Sequence, residues 1–355
     1  MGLLDGIRRR GIRRLGVGFG HGRRDTGRVP APFVVGIARS GTTLLRLMLD
    51  AHPQLTIPPE THFLPRLFTH FDRWVEQGIE GAELRERAME LIVSHPRWGD
   101  IDLDPQEVER RMAHHDPLTA GDAARSFYEA YAAQEGKPRW GDKSPPYTWK
   151  AKRIQRALPE AHFIHLIRDG RDCVASLKRM SWWGQSSIDA MVMWTHSVDC
   201  GRRAARRLPA DAFYAVRYEQ LVTDPRGELM AVCDFLGEEF EETMLESHLV
   251  AAPDLPERQR TEWHANTGKE VNAAAICGYT EGLDPWELRL FEFVAGARLR
   301  RLGYDVPSRP ALPRLTALAR YEQKLLWLRL KTRVLIVQDR WIARRSGPMA
   351  DQGPA

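Results

Sequence analysis

The sequence of 355 residues has no uninterrupted apolar stretch of the roughly 18 residues that a membrane-spanning helix requires. Its first residues also lack the apolar core of a secretory signal peptide. Cysteine is scarce, and none of the four cysteines has C-x-x-C spacing: Cys173, Cys200, Cys233 and Cys277. These absences exclude a disulfide-rich secreted scaffold and predict a cytoplasmic protein with reduced thiols.

Two further kinds of site are missing from the sequence. No group of histidine, cysteine or carboxylate residues has zinc-ligand spacing, and no magnesium-binding carboxylate follows a second strand. We therefore predict no metal. Nucleic acid is not an expected partner either, because aromatic stacking platforms and a nucleic-acid-binding motif are lacking. The length suits one large α/β domain with attachments at its ends.

Positive charge is concentrated near the two ends of the chain. Residues 1–30 carry a net charge of +6, residues 309–345 carry +8, and the whole chain carries only +5. The segment 31–308 is therefore acidic, and we expect it to hold the catalytic domain. The pattern predicts a basic amphipathic helix within 309–345, followed by a flexible tail at 346–355.

The predicted C-terminal helix has one apolar stripe with arginine and lysine between its members: Leu315, Leu318, Tyr321, Leu325 and Leu328. Such a helix can dock on the body of the protein, pair with a second copy in a homodimer, or lie on an anionic membrane surface. The basic residues at 1–30 would add to membrane attraction, at the inner face of the membrane. The sequence leaves these three alternatives open.

A glycine-rich turn follows the first predicted strand. Phe33 to Val35 are apolar, and Gly36 and Gly41 then have the G-x-x-x-x-G spacing of a phosphate-binding loop. Thr42 stands where an NTPase loop has its lysine. Backbone amides from Ser40, Gly41, Thr42 and Thr43 would lie at a helix N-terminus, which favours an anion. Because Arg39 supplies the cation instead, the loop predicts a phosphate-bearing donor other than a nucleoside triphosphate.

A second anion site is predicted one strand later. The apolar run Phe163–Ile167 has strand length and ends in Arg168, and Asp169-Gly170 marks a turn. Ser176 falls in the helix that follows. Ligands gather at the carboxyl edge of parallel strands, where a guanidinium and a hydroxyl can bind phosphate. Two anion sites on one sheet indicate a nucleotide with phosphates at both ends of its ribose.

The two motifs, RSGTT and RDGRDCVAS, resemble those of sulfotransferases that use 3′-phosphoadenosine 5′-phosphosulfate (PAPS). The runs RSGTTLLRLMLDAHP and PPETHFLPR are particularly similar to the tyrosylprotein sulfotransferase group and its bacterial relatives. The likeness covers about residues 30–306. It implies an α/β fold like that of P-loop NTPases, with a parallel sheet of about five strands, flanking helices and no metal. The implied product is 3′,5′-adenosine bisphosphate.

The resemblance also assigns roles to individual residues. Arg39, the loop amides, Thr42 and Thr43 would bind the 5′-phosphosulfate, whereas Arg168 and Ser176 would bind the 3′-phosphate. Lys143, in WGDKSP, would lie beside the bridging oxygen. Glu60 would be the general base, with a pKa raised by burial toward working pH. His62 is the rival base, and a helix-capping role for Glu60 is the structural alternative.

The acceptor is predicted less sharply than the donor. Residues 65–135 read as several short helices that would form the acceptor pocket or a lid, and Trp182 and Trp183 would wall it or lie in the core. His62 stands where the tyrosylprotein enzymes have an arginine. We therefore expect a lipid, glycolipid, carbohydrate or phenol acceptor. A segment containing Lys269, Val271, Asn272 and Cys277 resembles one that closes over the nucleotide.

Two alternative functions stay open at this point. A P-loop kinase acting on a small molecule would need Mg²⁺ and a lysine near the γ-phosphate, but Thr42 occupies the lysine position. A catalytically silent sulfotransferase-like membrane module would have no reason to keep every predicted site residue. The retained set is Arg39, Glu60, Lys143, Arg168 and Ser176.

Overall fold

The computed structural model describes residues 28–247, 273 and 276–345. Most of the basic N-terminal segment, the closing-segment residues Lys269, Val271 and Asn272, and the predicted tail at 346–355 lie outside the described residues. The strands are β1 (Ala31–Gly36), β2 (Leu55–Thr56), β3 (Arg139–Trp140), β4 (Asp142–Lys143), β5 (Ala161–Ile167) and β6 (Phe213–Arg217).

The helices before β5 are α1 (Thr42–Asp50), α2 (Leu64–Glu76), α3 (Gly81–Val93), α4 (Pro105–Met112), α5 (Ala120–Gln134) and α6 (Ala151–Ala157). Those after β5 are α7 (Gly170–Lys178), α8 (Ser187–Arg207), α9 (Tyr218–Thr223), α10 (Pro225–Leu236), α11 (Tyr279–Gly282), α12 (Pro285–Arg301) and α13 (Leu315–Arg345). Helices and parallel strands alternate, which is the arrangement of an α/β fold.

The central sheet is parallel, with strand order β4-β1-β5-β6. In its register Val34 of β1 lies between Lys143 of β4 and Ile164 of β5. The carboxyl ends of all four strands meet at one edge. The loop after Gly36, Lys143 and Arg168 are therefore brought to the same edge.

The sheet has four strands among the described residues, where we expected about five. β2 and β3 form a separate parallel pair. Gly141 separates β3 from β4 and lies so close to β1 that an added Cβ would stand 2.7 Å from the Pro32 carbonyl oxygen. The chain steps from one pairing to the other there, so β2 adds no fifth strand.

Both faces of the sheet are covered. Phe33 and Val35 of β1 pack into a core formed with the helical insertion α2–α5, whereas Val34 packs on the opposite face against α1 and α10. This alternation follows from the two-residue period of a strand. Strand β6 ends at Arg217 and α9 follows it directly, with Leu221 and Val222 buried on the helix.

The expected helical insertion consists of α2, α3, α4 and α5. The longest of them, α5, begins at a capping box in which Thr119 and Asp122 satisfy each other's backbone amides. Phe127 and Tyr128 of α5 are buried against the sheet. The insertion thus packs on the face that Phe33 occupies, and its role as an acceptor lid stays a prediction.

The C-terminal helix α13 docks on the body. Tyr321 and Leu325 are buried in a core shared with α7, α8 and α12, and Leu318 and Leu328 pack against that core. Leu315, the first member of the predicted apolar stripe, is 72% exposed, because contact with the core begins only at Ala317. Of the three alternatives for this helix, docking on the body of the protein is the one that its inner face shows.

Candidate active site

The loop between β1 and α1 has the geometry of an anion cradle. Gly41 caps α1 in a left-handed conformation, with φ 97°. A Cβ there would lie 2.4 Å from the ring of Tyr218, and one on Gly36 would lie 2.7 Å from the Leu166 carbonyl oxygen. Both positions therefore require glycine. The unsatisfied amides at the start of α1 point out of this turn, where partial positive charge attracts an anion.

Ser40 stabilises the turn from within. Its hydroxyl donates to the Ile37 carbonyl at 2.7 Å, and its backbone amide donates to the same oxygen at 3.1 Å. Ser40 is fully buried, and Thr42 and Thr43 are nearly so. Arg39 has a φ of 71°, which is uncommon for a residue with a side chain. The loop is thus held in one shape, with strained backbone at the predicted cation.

The two sequence motifs meet at Arg39. Its Nε donates to Ser176 Oγ at 3.1 Å, and Arg168 Nη1 donates to the Arg39 carbonyl at 3.0 Å. Arg168 also lies over the ring of Tyr218, 4.5 Å from its centroid. Burial, with the charge of Arg168 next in size, lowers the pKa of Arg39 to about 10. Two arginines crowded in this way favour an anion between them, because it relieves their repulsion.

The predicted base and the predicted lysine are in direct contact. Lys143 Nζ donates to Glu60 Oε1 at 2.6 Å and lies 3.4 Å from Thr43 Oγ1. His62 Nε2 lies 2.7 Å from the other carboxylate oxygen of Glu60. Lys143 therefore bridges the phosphate-loop helix and the candidate base, and His62 orients the same carboxylate from the opposite side.

The ionisation of this group differs from our expectation. Burial acts to raise the pKa of Glu60, but Lys143 and His62 outweigh it and hold that pKa below its ordinary value. The expected raised pKa is thus wrong for the protein alone, because the carboxylate lies beside an ammonium group. Burial in turn lowers the pKa of Lys143, against the opposing effect of Glu60.

Sequence reasoning missed a buried network beneath Glu60. Asp142 Oδ2 accepts hydrogen bonds from Thr61 Oγ1 at 3.0 Å and from the Tyr128 hydroxyl at 2.9 Å. The Tyr147 hydroxyl accepts from the Leu64 amide at 3.2 Å. Burial raises the pKa of Asp142. The network holds the chain directly after Glu60, at Thr61 and Leu64, and the aspartate adjoining Lys143 in WGDKSP was its only sequence signal.

A second missed network holds the other motif in place. Glu219 accepts from the Asp169 amide at 2.8 Å and from the Tyr304 hydroxyl at 2.9 Å. Asp172 accepts from the amides of Cys277 and Tyr279, at 3.0 and 2.8 Å. The described end of the predicted closing segment is thereby attached to α7, next to Ser176.

An open groove follows α7 on this side, lined by Lys178, Arg179, Gly278, Glu281 and Gly282. Trp182 lies beyond it and is 41% exposed, whereas Trp183 packs against the core. The pair is in edge-to-face contact, with centroids 6.1 Å apart. The structure thus gives the two tryptophans different environments, and a role for Trp182 in walling the acceptor pocket stays a prediction.

The residues predicted for catalysis and for binding the two ends of the donor lie together along one sheet edge. At one end of the phosphate loop, Arg39 lies beside Arg168 and Ser176. At the other end, Thr43 lies beside Lys143, which contacts Glu60. Within the part of the chain that the structure describes, no three histidine, cysteine, aspartate or glutamate residues cluster as metal ligands do. In the same part, no helix is long and apolar enough to span a membrane.

Comparisons with known proteins agree with this geometry. The model of a family described as "Sulfotransferase family" matches residues 30–242, more than half of the chain. Protein-tyrosine sulfotransferase 2 of Gallus gallus is 27% identical over 291 residues, which cover 79% of this chain and 71% of that protein. Protein-tyrosine sulfotransferase A of Caenorhabditis elegans is 25% identical over 286 residues, covering 79% and 69%.

Solved structures give the same fold. The sulfotransferase domain of the Synechococcus PCC 7002 olefin synthase aligns with a TM-score of 0.52 and 26% identity, over 78% of this chain and 96% of that domain. The sulfotransferase domain from the curacin biosynthetic pathway aligns with a TM-score of 0.51 and 23% identity, over 79% and 100%. These likenesses confirm the parallel P-loop-like sheet with flanking helices. The chain therefore belongs to the sulfotransferase family.

Proposed function

We propose that this enzyme transfers a sulfuryl group from PAPS to an acceptor hydroxyl, with Glu60 as general base. One observation carries the proposal: Lys143 contacts both Glu60 and Thr43, at 2.6 and 3.4 Å. A base, a cation and the first turn of an anion-binding helix therefore converge on one point. Sulfuryl transfer requires this combination, because its loose transition state is stabilised chiefly by positioning and charge.

The residues present fit the two ends of the donor. The glycine turn packs closely against Leu166 and Tyr218, where a Cβ at Gly36 or Gly41 would clash, and it places the first amides of α1 to bind a phosphosulfate. Arg39 and Arg168, joined through Ser176 and the loop backbone, would bind the negative charges. Arg179 adds positive charge along the groove, whereas Lys178 there is paired with Glu287 at 2.6 Å.

In the proposed reaction Glu60 accepts the proton of the acceptor hydroxyl while the acceptor oxygen forms a bond to sulfur. The bond between sulfur and the bridging phosphate oxygen breaks, and its electron pair stays on the departing bisphosphate. Lys143, Arg39 and the loop amides stabilise the charge that develops there. The products are a sulfate ester, 3′,5′-adenosine bisphosphate and protonated Glu60, which then releases its proton to water.

The depressed pKa of Glu60 is compatible with this role. In the protein alone, Lys143 and His62 keep the carboxylate ionised, which is the form that a base needs. When Lys143 interacts with the donor, its charge is shared with the leaving oxygen and attracts Glu60 less. The burial that opposes this attraction then raises the pKa of Glu60, so that the carboxylate becomes a better proton acceptor.

For the acceptor we propose a hydroxyl-bearing lipid, glycolipid, carbohydrate or phenol. The relatives named above are protein-tyrosine sulfotransferases, so a tyrosine peptide belongs in the same screen. The resemblance places His62 where the tyrosylprotein enzymes have an arginine, and here its ring contacts the Glu60 carboxylate. His62 therefore does not replace the arginine that helps those enzymes to bind an acidic peptide.

The donor can be tested by calorimetric titration with 3′,5′-adenosine bisphosphate, 5′-AMP and ATP–Mg²⁺. We expect the bisphosphate to bind at least tenfold more tightly than 5′-AMP, and this difference to disappear in Arg168→Ala. Arg289→Ala, an exposed arginine on α12, is the matched control. Preference for ATP–Mg²⁺ would restore the kinase alternative.

Catalysis is tested separately with PAPS labelled in its sulfuryl group. Transfer to any member of an acceptor panel supports the proposal, and slow transfer to water serves as the background. Tight bisphosphate binding without transfer to lipid, carbohydrate, phenol or tyrosine peptide would indicate the silent module. The expected bacterial, cytoplasmic setting is independent of these results and stays a prediction.

A further inference from the structure

The inner face of α13 is fixed on the body by specific contacts. The Tyr321 hydroxyl donates to Thr195 Oγ1 at 2.9 Å, and Arg329 Nη2 donates to Asp199 Oδ2 at 3.3 Å. Lys324 forms an ion pair with Asp189. Because these contacts set the rotation of the helix about its axis, they also determine which residues face outward.

The outward side of α13 is unusually apolar. Among the described residues, six of the eleven exposed large hydrophobic side chains lie between Leu312 and Val334. Four of them form the outer α13 face, with exposed fractions of 50 to 61%: Leu326, Trp327, Leu330 and Val334. Single exposed apolar residues are ordinary, but a concentration along one helix indicates an interaction surface.

Basic residues border the outer α13 face. Arg320, Lys331 and Arg333 are exposed, and Lys331 Nζ lies 5.0 Å from the centre of the Trp327 ring. Among the described residues, neither Lys331 nor Arg333 has a carboxylate within ion-pair distance, unlike the inward Lys324. The outer face therefore combines apolar side chains with uncompensated positive charge.

We propose that the outer α13 face binds the surface of an anionic lipid bilayer, with α13 lying parallel to the membrane plane. Apolar side chains with a tryptophan, bordered by long basic side chains, are the composition of helices that bind membrane surfaces. Residues 309–345 carry +8, whereas residues 31–308 carry a net negative charge. Anionic headgroups would attract α13 and repel the body, which orients the protein.

Charge also favours an anionic bilayer over a second copy of the chain as the partner of the outer α13 face. A symmetric pairing through the outer α13 face would bring two segments of +8 together, and like charges repel across such an interface. The acidic body of the chain already supplies partners for the inward basic residues Lys324 and Arg329. An anionic bilayer alone offers both an apolar layer and negative charge to the outward side.

The test is flotation of the full-length protein with vesicles of phosphatidylcholine, alone or with 30% phosphatidylglycerol. We expect binding to the anionic vesicles and at least tenfold weaker binding to phosphatidylcholine. Lys331→Glu with Arg333→Glu should lower the partition coefficient at least thirtyfold, since each basic residue near an anionic surface contributes about fivefold and each new carboxylate is repelled in addition. Leu326→Ser with Trp327→Ser should abolish binding.

Matched controls are Met230→Ser, an exposed apolar residue of α10, and Arg289→Glu, an exposed arginine of α12. Both should bind vesicles as the wild type does, and bisphosphate titration checks that every variant is folded. Failure to bind anionic vesicles, or binding that survives both α13 double variants, would overturn the proposal. So would a dimer, seen by sedimentation velocity without lipid, that Leu326→Ser with Trp327→Ser dissociates.

Discussion

Lys143 holds the carboxylate of Glu60 at 2.6 Å, although the two residues are 83 positions apart in the chain. Lys143 ends β4, one strand away from the phosphate loop, and Glu60 lies in the loop that leads into the helical insertion. The ion pair thus joins the donor side of the site to the acceptor side. Its strength sets the protonation state of the candidate base.

The first prediction concerns Glu60 itself. Glu60→Gln keeps the shape and a hydrogen-bond acceptor but cannot take a proton at neutral pH. We expect kcat to fall by about 10²- to 10⁴-fold, because general bases contribute this much, while bisphosphate affinity changes less than threefold. Both quantities are measured with labelled PAPS and by calorimetry.

His62→Gln is the control for the first prediction, since His62 is the rival base and contacts the same carboxylate. We expect kcat to fall less than tenfold, through loosened orientation of Glu60. The base assignment fails if His62→Gln loses activity by 10² or more while Glu60→Gln stays within threefold of wild type.

The second prediction concerns the pH dependence. The pKa of Glu60 lies below its ordinary value, so the wild type keeps this base ionised at neutral pH. Lys143→Met removes the charge of Lys143 and leaves the burial, which then acts against His62 alone. The Glu60 pKa should rise, and the acid limb of the kcat/KM profile should move to higher pH by about 1 to 3 units.

The ion pair of Lys143 with Glu60 also makes the stability of the protein depend on pH. Because the folded-state pKa of Glu60 is depressed, its contribution to stability is present above the unfolded value of about 4.3 and is lost as the pH falls. The thermal midpoint of Lys143→Met should therefore differ most from wild type near neutral pH. Lys152→Met, at an exposed lysine of α6, should show no pH-dependent difference.

Much of the donor site could be predicted because its residues lie in two short, contiguous motifs. Arg39 through Thr43 follow one strand directly, and Arg168 through Ser176 follow another. Parallel pairing of β1 and β5 is then sufficient to bring the motifs to the same edge. The 3.1 Å contact of Arg39 with Ser176 is the result.

The parts that could not be predicted depend on long-range packing. Thr61 lies 81 positions and Tyr128 14 positions from Asp142, and no local pattern links them, yet they share one buried hydrogen-bond network. The shift in the pKa of Glu60 was predicted in the wrong direction, because burial alone raises the pKa of a carboxyl group. The 2.6 Å approach of Lys143 is a tertiary contact, and together with the contact of His62 it outweighs the desolvation of the carboxylate.

The third prediction tests the phosphate cradle through Gly41. An alanine there needs a positive φ of 97° and would place its Cβ 2.4 Å from the Tyr218 ring. We expect Gly41→Ala to lower bisphosphate affinity at least tenfold, because the loop must shift. The free energy of unfolding should also fall by about 1 to 3 kcal/mol.

Gly78 offers a matched control, because its φ is 77° and a Cβ there would have no neighbour within 4 Å. Gly78→Ala should carry a similar backbone strain but leave bisphosphate binding unchanged. Thermal unfolding of both variants measures the cost of backbone strain, and calorimetry shows whether bisphosphate binding is also lost. Equal binding by the two variants would mean that the close approach of Gly41 to Tyr218 does not shape the site.

The fourth prediction assigns a positioning role to the network beneath Glu60. Tyr128→Phe removes a 2.9 Å hydrogen bond to buried Asp142 and leaves the ring in place. Tyr321→Phe removes a buried 2.9 Å hydrogen bond to Thr195 at α13, away from the Glu60 loop. Each should destabilise the fold by about 1 to 2 kcal/mol.

Only Tyr128→Phe should also lower kcat, by roughly three- to tenfold through misplacement of Glu60, with bisphosphate affinity unchanged. Equal kcat values in the two variants would show that Asp142 supports the fold without positioning the base.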